Sequence, residues 1–229
     1  MIRPATVMSV LSAGLMATLP MIAVPGGSWN FDAAPVGTVT VNRSFECGGT
    51  LVGADIVMTA AHCVIPKGTD DPVNPESVTF SLRSESGSRE VFAVENIATP
   101  GGFFHPRTPT RDVIERDVAL LRLDRFAGRG ADSVAAPDRN VDHVALLPES
   151  PLDPFEGEPC AVDFDDAILI LSCSRARGAS GSPVYGLVDG ERRIVGVISS
   201  DGSRSGDPVV FAVSPVSVMR DLDWLSPER

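Results

Sequence analysis

The chain has 229 residues, enough for one well-buried domain or two small, tightly joined halves. Apolar residues make up 43% of it, and 21 Gly and 19 Pro interrupt the apolar runs, which favours many short strands and argues against intrinsic disorder. The net charge of -11 repels polyanions at long range, which argues against a nucleic-acid partner. The acidity alone identifies no substrate, because an acidic surface also serves solubility.

The N-terminal residues 1–25 predict a secretory signal peptide. Arg3 precedes a largely apolar stretch, which is the order of charge and hydrophobicity that such signals have. A membrane anchor is the alternative, because residues 5–24 approach spanning length, although Pro20 and several small or polar residues weaken it. We therefore expect a secreted or periplasmic protein with no stable membrane association after signal cleavage, and the cleavage position stays open.

The first half of the chain, about residues 30–125, predicts a series of strands. Apolar runs, or alternating apolar and polar residues, occur at 36–41, on both sides of the tight turn at 53–55, and at 78–82, 91–97 and 118–123. Two segments between these strands are predicted to lack regular structure. Residues 66–77 are rich in Pro, Asp and Asn, and residues 99–111 form a long loop with Pro and Gly.

The second half, about residues 140–213, follows a Gly-, Ala- and Pro-rich linker at 126–140. Five strand candidates occur there, at 161–164, 167–172, 182–188, 192–200 and 208–213. A C-terminal helix at about 215–225 is predicted from Ser214 followed by Pro215, with three apolar residues then falling on one face. Residues 26–229 are thus predicted to form one domain of two halves.

Four cysteines in an exported chain predict two disulfides, for which three connectivities are possible. Their order suggests two local loops, Cys47 with Cys63 and Cys160 with Cys173. Metal binding is the competing interpretation, but no CxxC or HxxxH spacing supports it, and we expect no metal site.

Three segments carry the residue types that peptide hydrolysis needs: TAAHC at 59–63, RDVALLRL at 116–123 and GASGSPVY at 178–185. A hydroxyl becomes nucleophilic beside a base, and the base needs an acid that holds its orientation. In this order the segments resemble the His, Asp and Ser blocks of the chymotrypsin/trypsin-like serine proteases, in particular the secreted bacterial members. The resemblance extends over nearly the whole mature chain.

The resemblance implies an all-β fold of two antiparallel six-stranded β-barrels with a C-terminal helix. It implies a secreted serine endopeptidase that acts on protein or peptide substrates through an acyl-enzyme, needs no cofactor and works as a monomer. The expected triad is His62 as general base, Asp117 as its partner and Ser180 as nucleophile, with the N–H groups of Gly178 and Ser180 as the oxyanion hole. Asp112 is the nearest rival for the acid, but it lacks the apolar strand that follows Asp117.

Departures from the family pattern bear on activation and specificity. Ala179 stands where digestive members carry an Asp that captures the new N-terminal amine, so we expect an oxyanion hole set without that switch. Ser174 stands near the position of the basic-selective Asp of trypsin-like members, which argues against a strong Arg or Lys preference. Ser199, Asp201 and Val209 are the other predicted substrate-binding residues.

Two other functions were weighed, and one of them remains as an alternative. A nucleophile elbow of an α/β-hydrolase would need GxSxG and a histidine after the serine, and neither condition holds here. A catalytically weak, protease-like binding protein would keep the fold and lose turnover, usually with a triad residue replaced. The remaining histidines, His105 and His143, lie in none of the three blocks and are predicted to be loop or surface residues.

Overall fold

The computed structural model describes five stretches of the chain: residues 34–83, 88–139, 143–146, 159–173 and 179–219. The predicted signal peptide at 1–25 and the end of the predicted helix beyond residue 219 lie outside them. Within the described stretches, no helix is long and apolar enough to span a membrane.

The first half of the chain forms a closed six-stranded barrel in which every neighbouring pair is antiparallel. Its strands are adjacent in the order β1-β2-β3-β6-β5-β4, and β4 closes the barrel by pairing with β1. The bounds are β1 Val36–Val41, β2 Phe45–Leu51, β3 Ile56–Thr59, β4 Val78–Arg83, β5 Arg89–Ala98 and β6 Ala119–Leu123. All the strands predicted for this half are present, with ends that differ by a few residues.

The second half forms another closed antiparallel barrel, in the order β10-β11-β12-β9-β8-β7. The bounds are β7 His143–Leu146, β8 Pro159–Asp165, β9 Ile168–Ser172, β10 Pro183–Val188, β11 Glu191–Arg204 and β12 Asp207–Val213. The two barrels confirm the predicted fold class. Strand β7 was not predicted from the sequence, and His143, expected to be a loop or surface residue, begins this strand and pairs with Ala161 of β8.

Three short helices and one 3-10 turn complete the described structure. They are α1 Ala61–Val64, α2 Arg111–Ile114, α3 Pro215–Met219 and the 3-10 turn Pro75–Ser77. The short helices α1 and α2 were not predicted, and the segment 66–77 is not wholly irregular. A single helical turn is too short to show the 3.6-residue periodicity by which helices are recognised in a sequence.

The two barrels meet in the largest buried cluster, while a second cluster, with residues such as Leu169 and Val195, lies within the second barrel alone. The largest buried cluster joins first-barrel residues such as Phe80 and Leu120 to Tyr185, Val197 and Val213 of the second barrel. Val218 of α3 is buried in the same cluster, as the apolar face of the predicted helix requires. Because apolar side chains of both barrels pack together, the position of one barrel against the other is fixed by the core.

A smaller cluster attaches α2 to the second barrel. Ile114 packs with Ile168, Ile170 and Val209, three residues of β9 and β12. The exposed guanidinium of Arg111 reinforces this contact, because it lies 2.9 Å from the Asp165 carboxylate and 2.6 Å from that of Asp166. The α2 helix therefore spans from one barrel to the other immediately before Asp117.

Two disulfides join Cys47 to Cys63 and Cys160 to Cys173, the pairing that the cysteine order suggested. The first connects β2 to α1, and the second connects β8 to the residue after β9. Each closes a short loop and so lowers the conformational entropy of the unfolded chain.

Candidate active site

The centre of the site is a pair formed by His62 and Asp117, 55 residues apart in the sequence. His62 lies on α1 and Asp117 lies just before β6, which is paired with β3, the strand that leads into α1. The His62 Nδ1 and Asp117 Oδ2 atoms are 2.7 Å apart, and the His62 backbone N–H donates to Oδ1 over 2.8 Å. The carboxylate therefore fixes both the ring and the backbone of the histidine.

A third donor reaches the same carboxylate from the second barrel. Ser199 of β11 donates its hydroxyl to Asp117 Oδ2 over 2.5 Å, and only 2% of Asp117 is exposed to solvent. A buried carboxylate is costly unless donors surround it, and this one has three. Ser199 was predicted to bind substrate, which stays a prediction; its hydroxyl is bonded to the acid, and the residue also lines the cleft. Nothing in the local sequence around Ser199 indicates this long-range contact.

Ser180 lies in a tight turn that begins β10. The turn is closed by a hydrogen bond from Ser182 N to Ala179 O, and it is tied to the first barrel by one from Gly48 N to Ser180 O at 2.7 Å. Gly181 has a φ of +80°, and a side chain there would meet the Gly48 carbonyl oxygen at 2.4 Å. The glycine after the candidate nucleophile is therefore needed both for its backbone conformation and for close contact with β2.

One cleft of about 310 Å³ brings these residues together. His62, Asp117 and Ser180 all line it, with Ser199 and Ser200 of β11. Within the described stretches, the His62 ring bonds to Asp117 but not to Ser180, and the Ser180 N–H has no acceptor. Such catalytic hydrogen bonds are often long without substrate, and a free N–H is what an oxyanion hole needs.

The structure describes only some of the other predicted site residues. Gly178, the second oxyanion donor, and Ser174 lie outside the described residues. Asp201 is exposed on β11 and paired with Val210, and Val209 is buried in the cluster that holds α2. Neither Asp201 nor Val209 is among the described residues that line the cleft.

His105 lies in a loop, as predicted, and it lines the cleft beside His62, which the sequence did not indicate. The two rings meet edge to face with centroids 5.6 Å apart, and His105 Nδ1 is 2.6 Å from the Ile65 carbonyl oxygen. Desolvation by burial lowers the pKa of His105 below its usual value of 6.5, and the proximity of His62 lowers it further against the opposing effect of the Ile65 hydrogen bond. His105 lies in a long, irregular loop, and the sequence of such a loop does not predict where the side chain lies.

A metal-like grouping occurs next to the histidine. Cys47, His62 and Cys63 have potential ligand atoms within 4.8 Å of one another. Both sulfurs belong to the Cys47–Cys63 disulfide, which leaves no thiolate to bind a metal.

Comparison with known proteins shows to which protein family this chain is related. The Trypsin family model matches residues 27–147, more than half of the chain, including His62 and Asp117 but ending before Ser180. Snake venom serine proteinase 8 of Crotalus adamanteus is 31% identical over 126 residues, which are 53% of this chain and 39% of that protein. The thrombin-like enzyme flavoxobin of Protobothrops flavoviridis is 30% identical over 122 residues, 52% of this chain and 37% of that protein. The match thus spans about two fifths of these curated relatives.

Solved structures share the fold over most of the chain. A thermostable serine protease from an extremophilic microorganism has a TM-score of 0.62 at 17% identity, over 86% of this chain and 99% of that one. A mutant of human heparin binding protein has a TM-score of 0.60 at 20% identity, over 85% and 92% of the two chains. With the family-model match and the two barrels, the conclusion is direct: the chain belongs to the chymotrypsin/trypsin-like serine protease family.

Proposed function

We propose that this protein is a secreted serine endopeptidase with His62, Asp117 and Ser180 as its catalytic triad. The observation that carries the proposal is the 2.7 Å contact between His62 and buried Asp117 in a cleft that Ser180 also lines. Secretion is supported by the two disulfides, which persist in oxidising compartments, and by the apolar N-terminus. Protein or peptide substrates follow from the family, and we propose a monomer.

The proposed mechanism proceeds through an acyl-enzyme. His62 Nε2 takes the proton of Ser180 as its oxygen attacks the carbonyl carbon of the scissile bond. The N–H groups of Gly178 and Ser180 stabilise the resulting oxyanion, and His62 then passes the proton to the leaving amine. Water, deprotonated by His62, releases the acyl group by the same route in reverse. Asp117 keeps the ring orientation and stabilises the imidazolium.

A fluorophosphonate probe tests the nucleophile directly. The wild-type protein should be labelled, Ser180→Ala should not, and His62→Ala should be labelled far more slowly because the serine loses its base. Ser200→Ala is the matched control, because Ser200 lines the same cleft and has no proposed role in the chemistry, and it should be labelled like wild type. Folded wild-type protein that resists the probe would overturn the proposal.

A protease-like binding protein is the second candidate function. The structural likeness to a heparin binding protein favours it, but at 20% identity that likeness concerns the fold alone. The net charge of -11 opposes a polyanionic ligand at long range. Cleavage of a peptide library by wild type but not by Ser180→Ala would decide for the enzyme, and it would also give the residue preferred before the cut.

A further inference from the structure

The cleft carries positively charged side chains, although the chain as a whole has a net negative charge. Among the described residues, the cationic side chains that line it are those of Lys67 and Arg107, and Lys67 is the only lysine in the whole sequence. Within the described stretches, the one carboxylate in the lining is that of Asp117, which is buried and already satisfied by its three donors. In a chain with a net charge of -11, this is a local reversal of sign beside the candidate catalytic groups.

The two cations lie on loops that are fastened to each other. Gly68 N donates to His105 O over 2.7 Å, and His105 N donates to Thr69 O over 2.9 Å. The His105 ring adds its contact to the Ile65 carbonyl oxygen. The loop after α1 and the loop before α2 thus form a single wall of the cleft. We call Lys67, His105 and Arg107 the basic wall.

The charges of the basic wall are available to a ligand. Lys67 and Arg107 are exposed, and neither forms an ion pair with any residue in the described stretches. Lys67 is near enough to His105 for its charge to help lower the pKa of that histidine. The nearby acids Asp70 and Asp71 are exposed, but neither lines the cleft.

Resting on the proposed function, we propose that the basic wall selects peptide substrates with an acidic side chain close to the scissile bond. A peptide that reaches Ser180 must pass along the cleft, where a substrate carboxylate can pair with Lys67 or Arg107. The proposal concerns the basic wall and not the pocket for the residue before the cut, for which Ser174 was predicted from the sequence. The overall negative charge does not prevent it, because screening confines the field of exposed charges to about 8 Å at physiological salt.

The test compares glutamate with glutamine, which have nearly the same shape and differ in charge. Peptide libraries carrying either residue at each position around the cut are digested, and products are quantified by mass spectrometry. At one or two positions wild type should cleave the Glu peptides about two- to fivefold faster, the range expected for an exposed ion pair. In about 1 M salt, where screening acts within about 3 Å, the ratio should approach one.

Charge reversal identifies the residues. Lys67→Glu and Arg107→Glu should bring the Glu-to-Gln ratio to one or below, because each replaces an attraction by a repulsion. Arg89→Glu is the matched control, since it makes the same change of an exposed charge as Arg107→Glu on β5 and outside the cleft lining, and it should keep the wild-type ratio. Fluorophosphonate labelling of all three variants verifies that the active-site fold is intact.

The outcomes separate this proposal from the function on which it rests. A protein that cleaves the library with a ratio of one at every position, or with the same ratio after both reversals, has no acidic subsite on the basic wall. Heparin binding that depends on Lys67 and Arg107 without any glutamate preference would assign the wall to a polyanion and overturn the proposal. A protein that neither cleaves nor takes the probe would overturn the endopeptidase function itself, and this inference with it.

Discussion

The Asp117 carboxylate shows how three distant pieces of sequence meet at one residue. Its donors come from α1 and from β11, so both barrels contribute to its environment. In this arrangement the acid cannot turn without losing several charge-assisted hydrogen bonds, each stronger than a neutral one. The orientation of His62 is therefore determined by the packing of the two barrels as well as by its own loop.

Ser199→Ala tests how much the third donor contributes. Removing a hydrogen bond to a buried charge costs about 1.5–3 kcal/mol, so kcat should fall about 10- to 100-fold if the cost appears in the transition state. KM should change little, because the Asp117 carboxylate is buried. The neighbouring Ser200→Ala is the control and should retain kcat. Equal loss in both variants would indicate a general disturbance of β11 and would contradict a positioning role for Ser199.

His105 should make the site sensitive to acid. Because burial lowers its pKa, the neutral form is favoured in the folded protein, and its contribution to stability is present above the ordinary value of 6.5. As the pH falls through the lower folded pKa, that contribution is lost. The charges that act on His105 are those of His62, Asp117 and Lys67, and only Asp117 favours its protonation.

His105→Ala measures this effect. The variant should unfold at a lower temperature than wild type at about pH 8, because it loses the contact with Ile65 O and the ring packing on His62. Near pH 5 the difference between the two proteins should shrink, since wild type must then bind a proton at this site. Thermal denaturation at both pH values measures this difference in unfolding temperature. A difference that grows on acidification would contradict the lowered pKa of His105.

At the scale of elements, the turn that carries Ser180 depends on its contact with β2. A Cβ at Gly48 would lie 2.1 Å from Ser182 Oγ and 2.8 Å from Ser182 N, so the turn or the strand would have to move. Gly48 N also holds the Ser180 carbonyl. The first barrel thereby supplies His62 and, in addition, supports the position of the candidate nucleophile.

Gly48→Ala should consequently reduce activity more than stability. Overpacking costs about 1–3 kcal/mol of folding free energy, while a displacement of about 1 Å at a reacting group can cost about 10²-fold in rate. Both quantities are measurable, by urea unfolding and by kcat/KM on one peptide. Gly130→Ala is the control, because a Cβ there meets nothing within 4 Å. Full activity in Gly48→Ala would show that the contact does not set the position of Ser180.

Strands could be predicted from the sequence where their side chains alternate between apolar and polar or form apolar runs. The alternation of Val78, Phe80 and Leu82 predicted β4, and all three are buried in the barrel. β7 was missed because its four residues are too few to show a pattern, and the pairing that defines it comes from β8 and β10. Local sequence thus predicts a strand, but not one that exists mainly because its neighbours require it.

The candidate site was predictable for a different reason. His62, Asp117 and Ser180 lie in three local blocks, and each block is recognisable without knowing where it folds. Ser199, His105 and Lys67 lie in no such block. Ser199 joins the site through a contact with Asp117 over 82 residues, and His105 joins it through a contact with Ile65 over 40 residues. Lys67 lies in the loop that pairs with the His105 loop. Their roles depend on tertiary structure, which the local pattern does not contain.

At the scale of the whole molecule, a polar network fastens the linker to both barrels. Asp132 N donates to Leu51 O of the first barrel, while its carboxylate accepts from the Tyr185 hydroxyl at 2.6 Å and from Arg192 at 3.1 Å. Val134 forms a parallel bridge with Ile194 of β11. The segment predicted as a linker is therefore an ordered part of the interface between the barrels, and its buried groups stabilise their relative position.

Tyr185 reports on this interface because it is the only tyrosine in the chain. Burial, reinforced by the Asp132 charge, raises its pKa well above the ordinary value of 10.0. The neutral phenol is thus favoured in the folded state, so its stabilisation is complete below pH 10.0 and is lost as the pH rises toward the folded pKa. The near-ultraviolet phenolate signal should stay absent until the protein unfolds in alkali.

Tyr185→Phe should lower the free energy of unfolding at neutral pH by about 1.5–3 kcal/mol, because a buried hydrogen bond to a charged acceptor is lost. Above pH 10.0 the two proteins should converge, since wild type alone loses the stabilisation of a neutral phenol. Urea unfolding across this pH range measures the difference. A phenolate that forms near the ordinary pKa value of 10.0 in still-folded protein would contradict the burial of this network at the interface between the barrels.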